Sequence, residues 1–148
     1  MRPETRVERW LEIARICRDD FAGDLNCILA QPFGQAKKAL RRFPCIGEPG
    51  AEKILMLCGA APAGLPLESN GLRVLTRLGF GREDARNYTR TYQSVQDALI
   101  QEIIPQSADS LAEAHLLLRE HGKQVCRANL PQCENCGISS LCCYPAKR

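Results

Sequence analysis

Four cysteines in the last quarter of the chain constrain it more than any other feature of its sequence. They are Cys126, Cys133, Cys136 and Cys142. Six, two and five residues separate them, and Pro131 and Gly137 interrupt any helical or strand period between them. The order of this segment must therefore come from another source, and four thiolates in one short loop can enclose a metal centre. Zinc and iron–sulfur centres both accept four thiolates, so the pattern predicts a metal site rather than ordinary buried or disulfide-bonded cysteines.

Composition excludes several other classes of protein. The 148 residues, 45% of them hydrophobic and 25% charged, are normal for about one globular domain with its own core. There is no run of about 18 apolar residues, so we expect no membrane span. The first ten residues, MRPETRVERW, lack the apolar segment of a secretory signal, so we expect a cytoplasmic protein. In that compartment nine cysteines, an odd number, favour metal binding and packed thiols over a disulfide framework.

Residues 34–59 predict two short helices joined by a tight turn. GQAKKALRRF is a basic helical segment, FPCIGEPG is rich in proline and glycine, and AEKILMLCG is a second helical segment. Backbone amides at the start of the second helix, around Gly47 and Gly50, can bind a phosphate because the helix dipole lies behind them. Five basic side chains against Glu48 and Glu52 predict a local contact with a nucleic-acid backbone. The five are Lys37, Lys38, Arg41, Arg42 and Lys53.

The cysteine loop and the helix pair resemble the endonuclease III family of DNA glycosylases. In that family a loop with the same cysteine spacing holds a [4Fe-4S] cluster, and the tripeptide 121–123 and Pro131 also match the sequence around it. The resemblance implies that the four loop cysteines bind a [4Fe-4S] cluster, with zinc as the alternative metal. Cys142 keeps the family interval, so the adjacent Cys143 is a spare. We expect His121 to pack against the loop rather than bind metal.

The turn between the two helices departs from the family hairpin, LPGxG followed by a lysine, at two positions. Cys45 stands where the family has its first hairpin glycine, so we expect a side chain in a backbone conformation that glycine adopts more freely. Pro49 stands where lyase members have the lysine that forms a Schiff base, and proline has no amine to offer. The resemblance therefore implies no β-elimination chemistry at this position. Lys53 lies one helical turn further on, and we interpret it as a solvated lysine facing DNA.

Residues 65–80 resemble the family segment that carries the catalytic aspartate. Glu68 aligns with the aspartate, Asn70 with an Asn/His position, and Arg73 and Arg77 with two arginines. In relatives the carboxylate stabilises positive charge on the sugar as the base departs, or activates a nucleophile. Two interpretations of Glu68 stay open: a catalytic group, or an acid that only favours the dipole at a helix start. Asn70 is shared with the adenine-glycosylase branch, which also lacks the lysine, and this implies a monofunctional enzyme.

The fold implied by the resemblance is all-α. Residues 1–122 form a partial helical barrel with the helix-hairpin-helix at about 34–59, and residues 123–148 form the cluster loop and tail. The chain matches only about the C-terminal two-thirds of a typical family member. We therefore expect either a truncated start, or self-association or a partner chain that covers an exposed apolar face. The candidate contacts to double-stranded DNA are the five basic residues above, Cys45, Gly47, Gly50, Asn70 and Arg73.

Three functions stay open at this point. The first is a base-excision-repair glycosylase that uses Glu68, the second is a non-catalytic DNA-binding remnant, and the third is a zinc-bearing interaction module. The resemblance favours the first two over the third, because both keep the hairpin and the cysteine loop.

Three further predictions concern packing. Residues 5–21 carry apolar side chains at steps of three and four, which predicts an amphipathic helix packed on the core. The predicted buried stripe is Val7, Leu11, Ala14, Cys17 and Phe21. Cys17 and Cys27 lack metal-ligand spacing, and we expect both to be small buried hydrophobes. His115 faces away from the apolar stripe of its own predicted helix, so we expect a solvated surface group.

Overall fold

The computed structural model describes residues 2–60, 62, 64–102 and 107–144, and no β-strand occurs among them. The helices are α1 (Pro3–Phe21), α2 (Asn26–Leu29), α3 (Phe33–Leu40), α4 (Glu48–Leu57), α5 (Ser69–Arg77), α6 (Tyr88–Glu102) and α7 (Ala108–Gln124). Two short 3-10 turns, Cys133–Asn135 and Ser139–Leu141, follow α7. The prediction of an all-α fold is confirmed. No helix in the described ranges is long and apolar enough to cross a membrane, and the cytoplasmic location stays a prediction.

The chain divides into two compact units, Met1–Pro62 and Ala63–Arg148. The first contains α1 to α4, and the second contains α5 to α7 and the cysteine loop. The boundary at residue 122, predicted from the sequence, separates the helical part from the loop and stays a prediction. The last residues of the predicted tail, 145–148, lie outside the described part of the chain.

The core of the first unit is built from α2, α3, α4 and the turn between the last two. Its buried residues are Ile28, Ala36, Leu40, Phe43, Ala51 and Leu55. Helix α1 packs against this core through side chains in its second half. The Phe21 ring stacks on the Phe43 ring with 5.8 Å between centroids, which fixes the end of α1 beside the turn.

The predicted buried stripe on α1 is only partly right. Three of its five members are exposed, namely Val7, Leu11 and Ala14. Cys17 and Phe21 do face the core, but their neighbours there are Ile13 and Ile16. The first half of the helix carries a second apolar face beside the face that packs on the core. The spacing of apolar residues in the sequence cannot show which of these two faces is buried. The expectation for Cys27 is also wrong, because its side chain is exposed on the short helix α2.

The turn between α3 and α4 depends on a residue in the left-handed region. Cys45 has φ 71°, which confirms the expectation of a side chain in a glycine-like conformation. Gly47 has φ −82° as the residue before α4, so this backbone position does not need a glycine. The Ile46 amide donates to the Phe43 carbonyl at 3.2 Å and closes the turn. The exposed Cys45 thiol accepts a hydrogen bond from Arg9 Nη1 at 3.0 Å.

We expect Cys45→Gly to stabilise the protein by about 0.5–1 kcal/mol, because glycine removes the left-handed strain at some cost in unfolded-state entropy. The measurement is the midpoint of urea unfolding. Cys58→Gly is the matched control, since Cys58 is also exposed but has φ −93°. Glycine there should leave the midpoint unchanged or lower it. A lower midpoint for Cys45→Gly would mean that the turn is not strained.

In the second unit, α5 packs mainly against α7 and also contacts α6. The buried apolar residues of these helices are Leu72, Val74, Leu75, Val95, Leu99 and Leu111. The backbones of α5 and α7 lie close together at Gly122, where an added Cβ would lie 2.7 Å from the Asn70 carbonyl oxygen. This contact holds the end of α7, and therefore the start of the cysteine loop, against the first turn of α5.

Candidate functional site

The four loop cysteines border a single cavity of about 160 Å³ in the second unit. The lining includes Cys126, Cys133, Cys136, Cys142 and side chains from α5 and α7. Cys143 is not part of the lining; it is exposed, and its thiol lies 3.8 Å from the Leu78 carbonyl oxygen. The structure thus brings together the four cysteines selected by spacing and places the spare one outside the cavity.

The donor set can be tested against the two kinds of metal centre. Zinc with Zn–S bonds of about 2.3 Å needs its thiolates about 4 Å apart. Within the described ranges, no three Cys, His, Asp or Glu side chains converge closely enough to hold one metal ion. The four thiols border the cavity of about 160 Å³, and four thiolates are a donor set that an iron–sulfur cluster and zinc both accept.

Arg77 of α5 holds the cysteine loop in place. Its Nη1 donates to the Cys126 thiol at 3.3 Å and to the Arg127 carbonyl at 2.8 Å, and its Nη2 donates to the Ala128 carbonyl at 3.1 Å. The guanidinium carbon lies 4.1 Å from the centroid of the Tyr144 ring. One side chain therefore contacts both ends of the loop. In the sequence Arg77 only matched a position of a motif, and nothing there indicated its contacts to the loop.

His121 lies on the wall of the same cavity. Its Nε2 is 3.7 Å from the Cys136 thiol, and its side chain is half-buried. The imidazole packs against the cysteine loop, as expected from the sequence.

Glu68 is the residue before α5 and caps that helix. Its Oε1 accepts hydrogen bonds from the amides of Asn70 and Gly71, both at 2.9 Å, and its Oε2 accepts one from Asn70 Nδ2 at 2.9 Å. The extended backbone at Glu68, φ −105° and ψ 175°, is typical of an N-cap. Glu68 therefore acts as an acid that stabilises the start of α5. Its catalytic role stays a prediction.

The environment of Glu68 keeps its carboxyl ionised. Burial raises the pKa of Glu68, but the amides of Gly71 and Asn70, the Asn70 side chain and nearby His115 outweigh burial and leave that pKa below its usual value. The cap therefore stabilises the fold above the ordinary carboxyl pKa and is lost as pH falls through the lowered one. Burial, and then the charge of Glu68, raise the pKa of Tyr88. The charge of the Glu68 carboxylate therefore reaches the Tyr88 hydroxyl and disfavours its ionisation.

Arg73 joins Glu68 and Asn70 to the cysteine loop. Its Nη2 donates to Asn70 Oδ1 at 2.8 Å and to the Gly122 carbonyl at 2.7 Å, and its Nε donates to the Cys126 carbonyl at 2.9 Å. The side chain is half-buried and already has three protein acceptors. Its predicted contact with DNA stays a prediction.

The expectation of a solvated His115 is wrong. This residue is only 4% exposed, and its Nδ1 lies 2.7 Å from the Pro66 carbonyl oxygen. Because a carbonyl oxygen can only accept, Nδ1 carries the proton. The segment before α5, including Leu65 and Leu67, is buried together with His115. The contact joins residues far apart in the chain, so helical periodicity could not reveal it. His115 is the residue near the candidate carboxylate that the sequence failed to indicate.

Acidic neighbours neutralise part of the predicted basic patch on the hairpin. Lys37 Nζ lies 2.9 Å from Glu48 Oε1 and 3.0 Å from Glu52 Oε1. Hydrogen bonds to Glu48 and then Glu52 raise the pKa of Lys37, and the bond from Lys37 lowers the pKa of Glu48. Arg41 Nη1 is 3.7 Å from Glu48 Oε2. A polyanion would compete with Glu48 for two of the five cations.

The other three basic residues of the patch differ from one another. Arg42 pairs with Asp20 at 2.6 Å and lies over the Phe21 ring, 5.8 Å from its centroid. Lys38 and Lys53 form no ion pair with any residue that the structure describes. These two lysines are the cations most available to a phosphate backbone, and the roles of all five toward DNA stay predictions.

Comparison with known proteins identifies relatives along most of the chain, although no protein-family model matches it. The chain is 23% identical over 139 residues to a thymine-DNA glycosylase of Aeropyrum pernix, covering 94% of this chain and 57% of the relative. It is 25% identical over 142 residues to a thymine/uracil-DNA glycosylase of Methanothermobacter thermautotrophicus, covering 96% of this chain and 58% of the relative. It is 30% identical over 107 residues to an endonuclease III of Rickettsia conorii, covering 72% of this chain and 46% of the relative.

The helices, the strained hairpin and the cysteine-lined cavity define an all-α protein of helix-hairpin-helix type with a C-terminal cysteine loop. The matches make this chain a relative of the endonuclease III-like DNA glycosylases, which confirms the resemblance seen in its motifs. The chain spans about half the length of the curated relatives it matches.

Proposed function

We propose that this chain is a DNA-binding base-excision-repair protein and a monofunctional DNA N-glycosylase. The observation that carries the proposal is its similarity to two proteins named as DNA glycosylases over 94% and 96% of its length. The ionised Glu68 at the start of α5 adds a carboxylate at the aligned catalytic position. Double-stranded DNA is the proposed partner, with a target base turned out of the stack.

Glu68 has the charge that this reaction needs. As the glycosidic bond breaks, the base leaves with the bonding electrons and positive charge develops on the sugar, which a fixed carboxylate stabilises. Water then adds to the sugar carbon, and the proton that it loses balances the charge of the departing base. Pro49 offers no amine for a Schiff base, so the product is an intact abasic site.

The four cysteines that line the cavity are the residues that would hold a [4Fe-4S] cluster, with zinc as the alternative. Such a centre supplies metal–thiolate bonds that order the loop after α7. The four thiols around one cavity and the cysteine spacing shared with the endonuclease III family support the cluster over zinc. Arg77 then contributes a hydrogen bond to one of the ligands, Cys126.

Base release from duplexes that contain G·T, G·U and adenine mismatches tests the proposed activity. We expect the wild type to release a base without cutting the strand, and Glu68→Gln to be at least about 100-fold slower with unchanged DNA affinity. Ser69→Ala is the control, because Ser69 Oγ makes only a 3.5 Å contact to the carboxylate. Full activity in Glu68→Gln would exclude this residue as the catalytic group.

A non-catalytic DNA-binding remnant is the second candidate. It is favoured by the two backbone amides that Glu68 caps and by its bond from the Asn70 side chain, which give this residue a structural role without any reaction. Duplex binding by the wild type with no base release from any substrate in the panel would support this candidate.

We expect Glu48→Gln to strengthen duplex binding about fivefold at low salt, because it removes a negative charge that pairs with Lys37 and Arg41. The measurement is fluorescence anisotropy at several salt concentrations, and the salt dependence should become steeper. Glu52→Gln is the matched control, since Glu52 pairs with Lys37 alone and should have a smaller effect. Unchanged affinity and salt dependence in Glu48→Gln would place the hairpin outside the DNA interface.

The exposed apolar side chains of α1 support the predicted self-association or partner chain. Val7, Trp10 and Leu11 are 53%, 65% and 54% exposed on the first three turns of this helix. A contiguous apolar surface of this kind is typical of an interface. Sedimentation of the wild type and of Trp10→Glu would show whether this face holds two copies together.

A further inference from the structure

Helix α1 carries a stripe of apolar side chains that its own unit does not cover. Val7, Trp10 and Leu11 are each more than half exposed, and Ala14 continues the stripe toward the end of the helix. An α-helix turns by about 100° per residue, so these four side chains lie within about 100° of its circumference. The stripe is separate from the side chains that pack α1 on its core, and it is a surface that another molecule can bury.

Charged side chains border this stripe along one side, and their sign reverses along the helix. Glu4 and Glu8 lie in the first half of α1, Arg15 and Arg18 lie in the second half, and all four are exposed. Positions 4, 11 and 18 are seven residues apart and therefore share one row of the helix surface, with Leu11 at its middle. Reversing the direction of the helix about Leu11 exchanges the acidic half with the basic half.

These four charges gain little from neighbours within one copy. Glu4, Glu8 and Arg15 form no ion pair with any residue in the described part of the chain. Glu4 and Glu8 are four residues apart, where like charges on a helix repel each other. Arg18 pairs with Asp19 at 2.6 Å, but both side chains are well exposed, so this pair contributes little. Cations that a partner brings to the acidic half would therefore stabilise it.

We propose that α1 is a self-complementary interface, on which a second copy of this chain binds with its own α1 antiparallel. A symmetric contact repeats every pairing on both sides of a twofold axis, and here that axis passes close to Leu11. Glu4 of each copy then lies opposite Arg18 of the other copy, and Glu8 lies close to Arg15. The two apolar stripes meet between these charges and leave water. This inference specifies the self-association that the exposed face supports, and it does not depend on base release.

The charge pattern argues against other occupants of this face. A phosphate backbone would be repelled by Glu4 and Glu8. A lipid surface favours helices whose polar side is rich in lysine and arginine, whereas acidic side chains border half of this stripe. A second copy fits without any further requirement, because the pattern is complementary to itself once the helix direction is reversed.

The expected dimer is weak and depends on salt. One helix from each copy supplies the proposed contact, so the interface is smaller than the usual interface of about 1,600 Å². We expect a dissociation constant on the order of 10 μM at low salt. Salt should weaken the dimer, because the charges that border the stripe are exposed.

The first test reverses the charges and measures self-association of the full chain by sedimentation at a series of concentrations. Arg15→Glu/Arg18→Glu should dimerise at least about tenfold more weakly than the wild type, because it places like charges opposite each other. Glu4→Arg/Glu8→Arg should do the same. An equimolar mixture of the two variants should dimerise about as tightly as the wild type, since every cation then faces an acid again. Misfolding of either variant cannot produce this recovery.

Arg6→Glu is the matched control, because it makes the same kind of charge reversal on the same helix. Nine positions separate Arg6 from Arg15, which places these side chains on opposite sides of α1. This variant should dimerise as the wild type does. A wild type that stays monomeric would overturn the proposal. A mixture that dimerises as weakly as its components, or dimers that neither double variant weakens, would overturn it as well.

The second test uses the fluorescence of Trp10, the single tryptophan of the sequence. Its side chain is 65% exposed in one copy, and a second α1 on the stripe would cover part of the indole. We expect the emission to move to shorter wavelength as the wild type dimerises, and to stay constant in Arg15→Glu/Arg18→Glu. Constant emission in a dimerising wild type would contradict the proposed face. Dimers without base release would leave this inference standing and remove the proposed catalysis.

Discussion

Replacement of Cys126, Cys133, Cys136 or Cys142 by serine should abolish metal binding and leave the loop after α7 without a fixed structure. These residues border one cavity, and the loop has only two short 3-10 turns of regular structure. Under the proposed function, metal–thiolate bonds would supply most of the order in this segment, in addition to the contacts from Arg77. We expect near-complete loss of bound metal and a fall of about 10 °C or more in the unfolding temperature.

Cys143→Ser is the control for this experiment, because it makes the same chemical change one residue away from Cys142 and outside the cavity. It should retain metal and unfold at the wild-type temperature. Metal content per chain and thermal unfolding followed by circular dichroism measure both effects. If Cys142→Ser kept its metal while Cys143→Ser lost it, the assignment of the fourth ligand would be wrong.

Gly122→Ala should destabilise the second unit by about 3 kcal/mol. The new methyl group would lie 2.7 Å from the Asn70 carbonyl oxygen and 2.9 Å from the carbonyl carbon, and neither atom belongs to a flexible side chain. The helices α5 and α7 would have to separate. The end of α7 carries the Gly122 carbonyl that Arg73 contacts, so metal retention should also decrease.

Gly71→Ala provides the comparison within the same pair of helices. A methyl group there would meet Leu118 and Leu67 at 3.5 Å, an ordinary contact, and alanine favours the helix by about 1 kcal/mol. This variant should be neutral or slightly more stable in urea unfolding. Equal destabilisation by the two changes would mean that the close approach at Gly122 does not hold α5 and α7 together.

The sequence was informative where a residue type is tied to one local conformation or one chemistry. The cysteine intervals selected the four thiols that border one cavity and left out Cys143. The place of Cys45 in the hairpin motif, where a glycine is usual, was enough to indicate its positive φ. The helices themselves followed from apolar spacing and from the prolines and glycines that separate them.

The sequence was uninformative where distant segments decide the outcome. Val7 and Leu11 share an apolar face with the correct spacing, yet α1 turns a neighbouring face to the core. His115 is buried because it contacts Pro66, 49 residues away in the chain. The charge count for residues 34–59 included Glu48 and Glu52, but it did not include Asp20 of α1, which pairs with Arg42.

The candidate site could be predicted from the sequence only in part. The motif placed Glu68 at a helix start, but it could not show that the carboxylate caps two backbone amides and also accepts from the Asn70 side chain. The hydrogen bonds of Arg73 to Asn70 and to the loop depend on the side-chain orientations of residues far apart in the chain, such as Arg73 and Cys126, which differ by 53 positions.

The most direct test of the account is the metal and sulfide content of the chain purified without oxygen. A [4Fe-4S] centre held by the four loop cysteines predicts about four iron atoms and about four acid-labile sulfides per chain, with a brown colour that Cys136→Ser removes. Colourless protein that contains one zinc per chain, or no metal, would contradict it.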